Sequence, residues 1–168
     1  MKALFNIRTF VFALTAIVFV SCSSEDAPES NTTNGVTIEL KNYAQSSYEI
    51  ELLDLVNSYR VSRGLNALSL IEHISYVSSG HNDYMITTND IGHTGFEQRK
   101  SNLQNSLGAV LVGENVAYGF SSAQATLNGW IASPSHKANL EGNYSHYGLS
   151  VKQDNQGRKY YTLMMIRK

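Results

Sequence analysis

The chain predicts an α+β fold, and the order of its patterns carries that prediction. Apolar residues recur at helical spacing through the stretches between 48 and 132. Two short runs that read as strands follow, 147–151 and 160–165. Between them, Asp154-Asn155-Gln156-Gly157 has the composition of a hairpin turn. Helices first and a hairpin last favour a layered α+β domain over an alternating parallel sheet. The 168 residues leave room for one domain and a tail, and no internal repeat divides them.

Composition narrows the class. With 42% apolar and 16% charged residues the chain can bury a core. The formal net charge of −1 gives no basic footprint, so nucleic acid is not an expected partner. The 10 tyrosines point to half-buried, half-wet positions such as a groove or a sheet surface. Cys22 is the one cysteine, so no internal disulfide can form and the domain must stand on its core.

The N-terminus reads as a targeting segment. Lys2 and Arg8 supply positive charge, and the apolar run 10–20 is too short for a membrane span. It ends at Phe19-Val20-Ser21-Cys22, which resembles a bacterial lipobox. The resemblance implies cleavage before Cys22, lipidation of that residue, and an exported lipoprotein at the outer membrane or cell surface. The alternative is an ordinary signal peptide with an incidental cysteine. The expected organisation is a signal peptide at 1–21, the lipidated Cys22 with a flexible polar linker over 22–46, and a folded domain over 47–168. The plainest part of the linker, 23–34, is polar, acidic and without periodicity. Residues 36–40 alternate weakly and fit a short strand or an extended entry.

The elements then follow in order. Leu52, Leu53, Val56, Tyr59 and Arg60 predict a helix over 48–62, stopped by Gly64. A second helix is expected over 71–87, with Ser69-Leu70-Ile71-Glu72 as a capping box. Its stripe is Ile74, Val77, His81 and Met85. Asn89-Asp90-Ile91-Gly92 breaks this helix and delivers His93 on a loop. A more polar helix spans 96–107 and ends at Gly108. Residues 109–118 lead into the first core strand. Ser121-Ser122-Ala123-Gln124 caps a fourth helix whose stripe is Ala123, Leu127, Trp130 and Ile131. Ser133 precedes Pro134 and is pushed away from helical angles, so that helix ends there. Residues 136–140 form one more turn.

Three side chains in this order carry chemistry: His93, Glu114 and His136. A helix separates the carboxylate from the second imidazole, so the fold must bring them together. Two neutral imidazoles and a carboxylate suit zinc with an open fourth position. No His-Glu-x-x-His spacing is present. A hydrogen-bonded polar cluster explains the same three residues without a metal. Glu114 is a general base only if burial raises its pKa, and no convincing nucleophile is paired with it. Ser135 beside His136 says little about geometry. His81, on an apolar stripe, is expected to be a buried, satisfied histidine supporting the cleft. Asn115 is expected to bond loop backbone.

Five blocks in order resemble the CAP superfamily, the cysteine-rich secretory, antigen-five and pathogenesis-related-one proteins. They are Leu55-Val56-Asn57 with Arg60, Gly64-Leu65 and Leu68; His81 with Met85; Gly92-His93-Thr94; Gly113-Glu114-Asn115-Val116-Ala117; and Trp130 through Ser133-Pro134-Ser135-His136-Lys137-Ala138-Asn139-Leu140. His146-Tyr147-Gly148-Leu149 is similar to the strand entry of bacterial members with an SCP-like extracellular domain. The resemblance implies a three-layer α-β-α sandwich around a small central antiparallel sheet. It also implies a cleft of two histidines and two acids, matched here by His93, Glu114 and His136. The second acidic position falls at Ser133, which departs from the pattern. The residues therefore lean toward a binding module for a lipid, glycan or peptide outside the cell, with an enzyme left open. The other candidate is a metal-assisted hydrolase or peptidase using His93, Glu114 and His136. No cofactor is assigned, and a divalent metal such as zinc on His93 and His136 belongs to that alternative.

Overall fold

The computed structural model describes residues 30–33 and 36–168. The expected signal peptide and Cys22 lie outside the described residues. Strands β1 (Ser30–Thr33) and β2 (Val36–Glu39) pair as an antiparallel hairpin. Helix α1 (Ser47–Ser62) starts at a capping box. The Ser46 hydroxyl accepts from the Glu49 amide, and the Glu49 carboxylate accepts from the Ser46 amide. It ends where Gly64 takes a left-handed φ of +74°.

Residues 40–46, expected as part of a flexible linker, are tied to the domain. The Lys41 amide donates to His73 Nδ1 at 3.0 Å, the Tyr43 amide to Glu72 at 3.1 Å, and Gln45 Nε2 to Ser75 at 2.5 Å. The folded part therefore begins upstream of residue 47.

Strand β3 (Ser69–Leu70) precedes helix α2 (Glu72–Thr88). The capping box expected over Ser69 to Glu72 does not form, and Ile71 is an N-cap without a side-chain bond. The Ser69 amide is used in pairing with Ser145, and Glu72 reaches Tyr43 instead. Helix α3 (Phe96–Leu107) ends at left-handed Gly108, as expected. Strand β4 (Leu111–Tyr118), helices α4 (Ala123–Ala132) and α5 (Pro134–Leu140), and strands β5 (His146–Gln153) and β6 (Lys159–Arg167) complete the fold. Ser122, not Ser121, caps α4, and Gln124 bonds Asn128 rather than closing a box.

The sheet order is β3-β5-β6-β4. The last three strands are antiparallel, as expected, and β3 adds a short parallel pair that makes the sheet mixed. Central β6 is buried on both faces, and its alternation sorts the layers. Tyr161, Leu163 and Met165 meet Leu52, Val56, Leu127 and Leu140 from α1, α4 and α5. Met164 and Ile166 meet Ile74 and Leu103 from α2 and α3. Helices therefore cover both faces in an α-β-α sandwich. Gly148 lets α2 lie close on β5, because a Cβ there would come 2.4 Å from the Ser75 backbone nitrogen.

Strand β4 lies at the edge of the sheet, and side chains cap its outer carbonyls. Trp130 Nε1 donates to the Val116 carbonyl at 3.1 Å, and Asn139 Nδ2 to that of Glu114 at 3.0 Å. Side chains alternate along β4, so Glu114 faces the α2–α3 layer and Asn115 the α4–α5 layer. Both helical layers thus reach the edge strand that carries Glu114.

Candidate functional site

Glu114 is the centre of the site, with only 1% of its side chain exposed. Arg99, from the first turns of α3, grips it with two bonds, Nε to Oε2 at 2.7 Å and a terminal nitrogen to Oε1 at 2.8 Å. His93 Nδ1 lies 2.8 Å from Oε1. The third Arg99 nitrogen holds the Thr94 carbonyl at 2.8 Å, which fixes the loop carrying His93. The His93 side chain is 51% exposed, so its ring opens outward from the anchored nitrogen.

His81 lies behind this pair, with Nδ1 3.9 Å from Glu114 Oε2. A chain of bonds sets its tautomer. Asn82 Nδ2 donates to the Ser150 carbonyl at 2.8 Å, so Asn82 Oδ1 is the acceptor for the Thr162 hydroxyl at 2.7 Å. The Thr162 oxygen can then only accept from His81, and Nδ1 carries the proton at 3.1 Å. Nε2 is left as a bare acceptor. It is buried and has no hydrogen-bond partner among the described residues, so the expectation of a fully satisfied histidine is corrected. Burial pushes the His81 pKa down to about 4, with Glu114 pulling the other way.

His136 comes from the opposite layer. Asn115 Nδ2 donates to its carbonyl at 3.0 Å, and Asn139 bonds both Asn115 and the Glu114 carbonyl. Asn115 therefore bonds helix backbone rather than loop backbone. The His93 and His136 rings are 6.4 Å apart between centroids, inclined by 53°. Burial and the nearby His93 lower the pKa of His136. Ser133 joins α4 to α5, and its hydroxyl lies 3.3 Å from that of Ser135. No hydrogen bond among the described residues links it to His93, Glu114 or His136.

This arrangement bears directly on metal binding. A centre with Glu114 as third ligand does not fit, because Arg99 and His93 occupy both carboxylate oxygens. Among the described residues no group of three His, Cys, Asp or Glu is placed to hold an ion. Two imidazoles remain, with His93 oriented by a carboxylate as metal-ligating histidines usually are.

Sequence reasoning missed Arg99, Thr162, Asn82 and Asn139. Arg99 did leave a signal: a cation near the start of a helix opposes the macrodipole and calls for a nearby carboxylate.

A three-layer sandwich with a buried glutamate on its edge strand, and a histidine from each side of it, defines a CAP-type domain. The chain belongs to the cysteine-rich secretory protein family, CAP, whose model matches residues 53–165. It is 33% identical over 128 residues to the uncharacterized membrane protein YlbC of Bacillus subtilis (strain 168). That match covers 74% of this chain and only 36% of the relative. An extracellular protein containing an SCP domain from Bacillus anthracis is 30% identical with a TM-score of 0.63, over 72% of this chain and 40% of that one. An outer surface protein of Borrelia burgdorferi shares the fold at 19% identity and a TM-score of 0.66, over 74% of this chain and 96% of its own.

Proposed function

We propose that this chain is an extracytoplasmic binding module, tethered to a membrane by lipid on Cys22. Its cleft between His93 and His136 takes a lipid, glycan or peptide ligand. The observation that carries this reading is the engagement of Glu114. Both of its oxygens are bonded, so it positions His93 and is poorly placed to abstract a proton. Purified domain should not hydrolyse peptide, ester or glycan substrates, with or without zinc. Turnover that is lost in both His93→Ala and His136→Ala would replace the binding module with a hydrolase. The extracellular and outer-surface descriptions of the structural relatives support the location. A Cys22→Ala variant should leave the membrane fraction or fail to be processed. Unchanged fractionation and processing would remove the anchor.

A second reading is favoured by one observation, the carboxylate-oriented His93 beside His136, each with ring nitrogen to spare. These two imidazoles would hold a divalent ion whose other positions stay open, and the ion would polarise an oxygen of the ligand. Zinc calorimetry at about pH 7.5 and about pH 5.5 tests it, because protons compete for the same nitrogens and affinity should fall with pH. Binding should vanish in His93→Ala and in His136→Ala but persist in His146→Ala. Binding that survives both cleft substitutions would exclude this site.

A further inference from the structure

Residues 40–46 lie as a strap across the start of α2, and one histidine decides how its outer half is held. His73, in the first turn of α2, is only 4% exposed. Its Nδ1 accepts from the Lys41 amide at 3.0 Å. The proton of the neutral ring must then sit on Nε2, which donates to Asn102 Oδ1 on α3 at 3.0 Å. The bond to the strap therefore exists only while the ring is neutral. A proton on Nδ1 would set one donor against another at a buried position, where both would go unpaired.

The surroundings keep that ring neutral. Burial weighs most and lowers the His73 pKa from 6.5, opposed by the bond to Asn102 and reinforced by Lys41. The positive end of the α2 dipole also disfavours an imidazolium there. On the strap side, the Lys41 ammonium pairs with Glu39. On α2, Glu72 holds the Tyr43 amide, and the Tyr76 ring lies 6.1 Å from the imidazole at 18°. On the α3 side the facing group is the neutral Asn102, and Arg99, one turn earlier, is taken up by Glu114.

The inner half of the strap is held differently. The Tyr43 hydroxyl donates to Glu49 at 2.8 Å and lies 3.0 Å from the Ser150 hydroxyl, and Gln45 bonds Ser75. None of these bonds involves His73. Leu40, at the outer end, packs on the cluster of Ile74 and Leu103.

We propose that residues 40–42 form an acid-released latch, held by neutral His73 and swung out about Tyr43 when that ring takes up a proton. Release frees up to roughly 10 Å of chain ahead of α1 and withdraws Leu40 from its apolar cluster. The latch works whether or not Cys22 carries lipid, so it does not rest on the function proposed above. Its direction follows from the two states of His73. The released ring returns toward its ordinary pKa of 6.5, and the latched ring lies below that. Latching is thus at full strength above pH 6.5 and weakens as pH falls below it, by up to about tenfold per unit until the latched ring itself titrates.

The test is amide exchange and nuclear magnetic resonance on the full chain in detergent, at about pH 7.5 and about pH 5.5, corrected for the intrinsic dependence of exchange on pH. Protection of the Lys41 amide should fall severalfold, up to about tenfold, at the lower pH, while Leu163 in β6 stays protected. The Lys41 amide signal and the His73 ring signals should move with one midpoint. His73→Asn places an acceptor that does not titrate near the position of Nδ1, and should keep Lys41 protected at both pH values. His73→Ala should show at the higher pH the exchange that the parent reaches at the lower. Three results would overturn the latch: Lys41 protection that does not change with pH, a midpoint that differs from that of His73, or loosening of Leu163 in step with Lys41, which is acid unfolding of the whole domain. A pH response in His73→Asn equal to that of the parent would also exclude His73 as its trigger.

Discussion

Trp130→Ala is expected to destabilise the domain by roughly 3–5 kcal/mol. The side chain is 1% exposed and packs in the cluster of Leu52, Leu127, Leu149 and Leu163. Removing it loses transfer energy and leaves a cavity that rigid neighbours on α1 and the sheet fill only partly. It also strips the cap from the Val116 carbonyl on the edge strand. Trp130→Phe separates the two effects. It keeps most of the volume but leaves that carbonyl bare, at a cost of about 1–3 kcal/mol. Urea unfolding with Trp130→Ala, Trp130→Phe and the parent measures both. A midpoint almost unchanged in Trp130→Ala would mean that α4 does not present Trp130 to the core. Loss of the cap should also loosen β4 two residues from Glu114, and amide exchange at Asn115 and Ala117, which pair with β6, would report it.

What could be read from the sequence was mostly local. Apolar spacing located α1, α2 and α4, and Gly108 marked the end of α3 because its left-handed geometry suits glycine. The pair of strands around Asp154 to Gly157 was legible from turn chemistry alone. Ser69-Leu70-Ile71-Glu72 misled, since a serine three residues before a glutamate is also compatible with a strand that ends at a helix. What decides between them is pairing with β5, far downstream and invisible to a local pattern. The edge position of β4 is likewise a property of the whole sheet.

The site divides in the same way. His93, Glu114 and His136 stood out through their motifs, and the fold brings His93 onto Glu114 and His136 beside His93. The groups that hold them did not stand out. Thr162 and Asn82 meet His81 only after β6 and α2 have packed. Asn139 reads as one more polar residue on a short helix until β4 lies against it. Ser133 was singled out through the family pattern, yet its hydroxyl turns to Ser135.

Arg99→Met is expected to cost roughly 3–5 kcal/mol, because it leaves Glu114 buried with its strongest partner gone. The side chains of Arg99 and Glu114 are 11% and 1% exposed, so water does not readily replace either one. Removing a cation near the start of α3 relieves about 0.3–1 kcal/mol of unfavourable dipole interaction, too little to hide the loss. Glu114→Gln alone should also destabilise, since it leaves Arg99 with an unmatched charge. The double variant, Arg99→Met with Glu114→Gln, removes both charges and should be more stable than the sum of the two losses implies. Urea unfolding of the four proteins closes the cycle. Strictly additive losses would show that the two groups do not act as a pair. The cleft should respond as well. Arg99 holds the Thr94 carbonyl next to His93, so its loss frees the loop and the ring together. If two imidazoles hold zinc, Arg99→Met should weaken zinc binding without touching either ligand. Equal zinc affinity in Arg99→Met and the parent would show that His93 is held without Arg99. The grip on Glu114 would then serve stability alone.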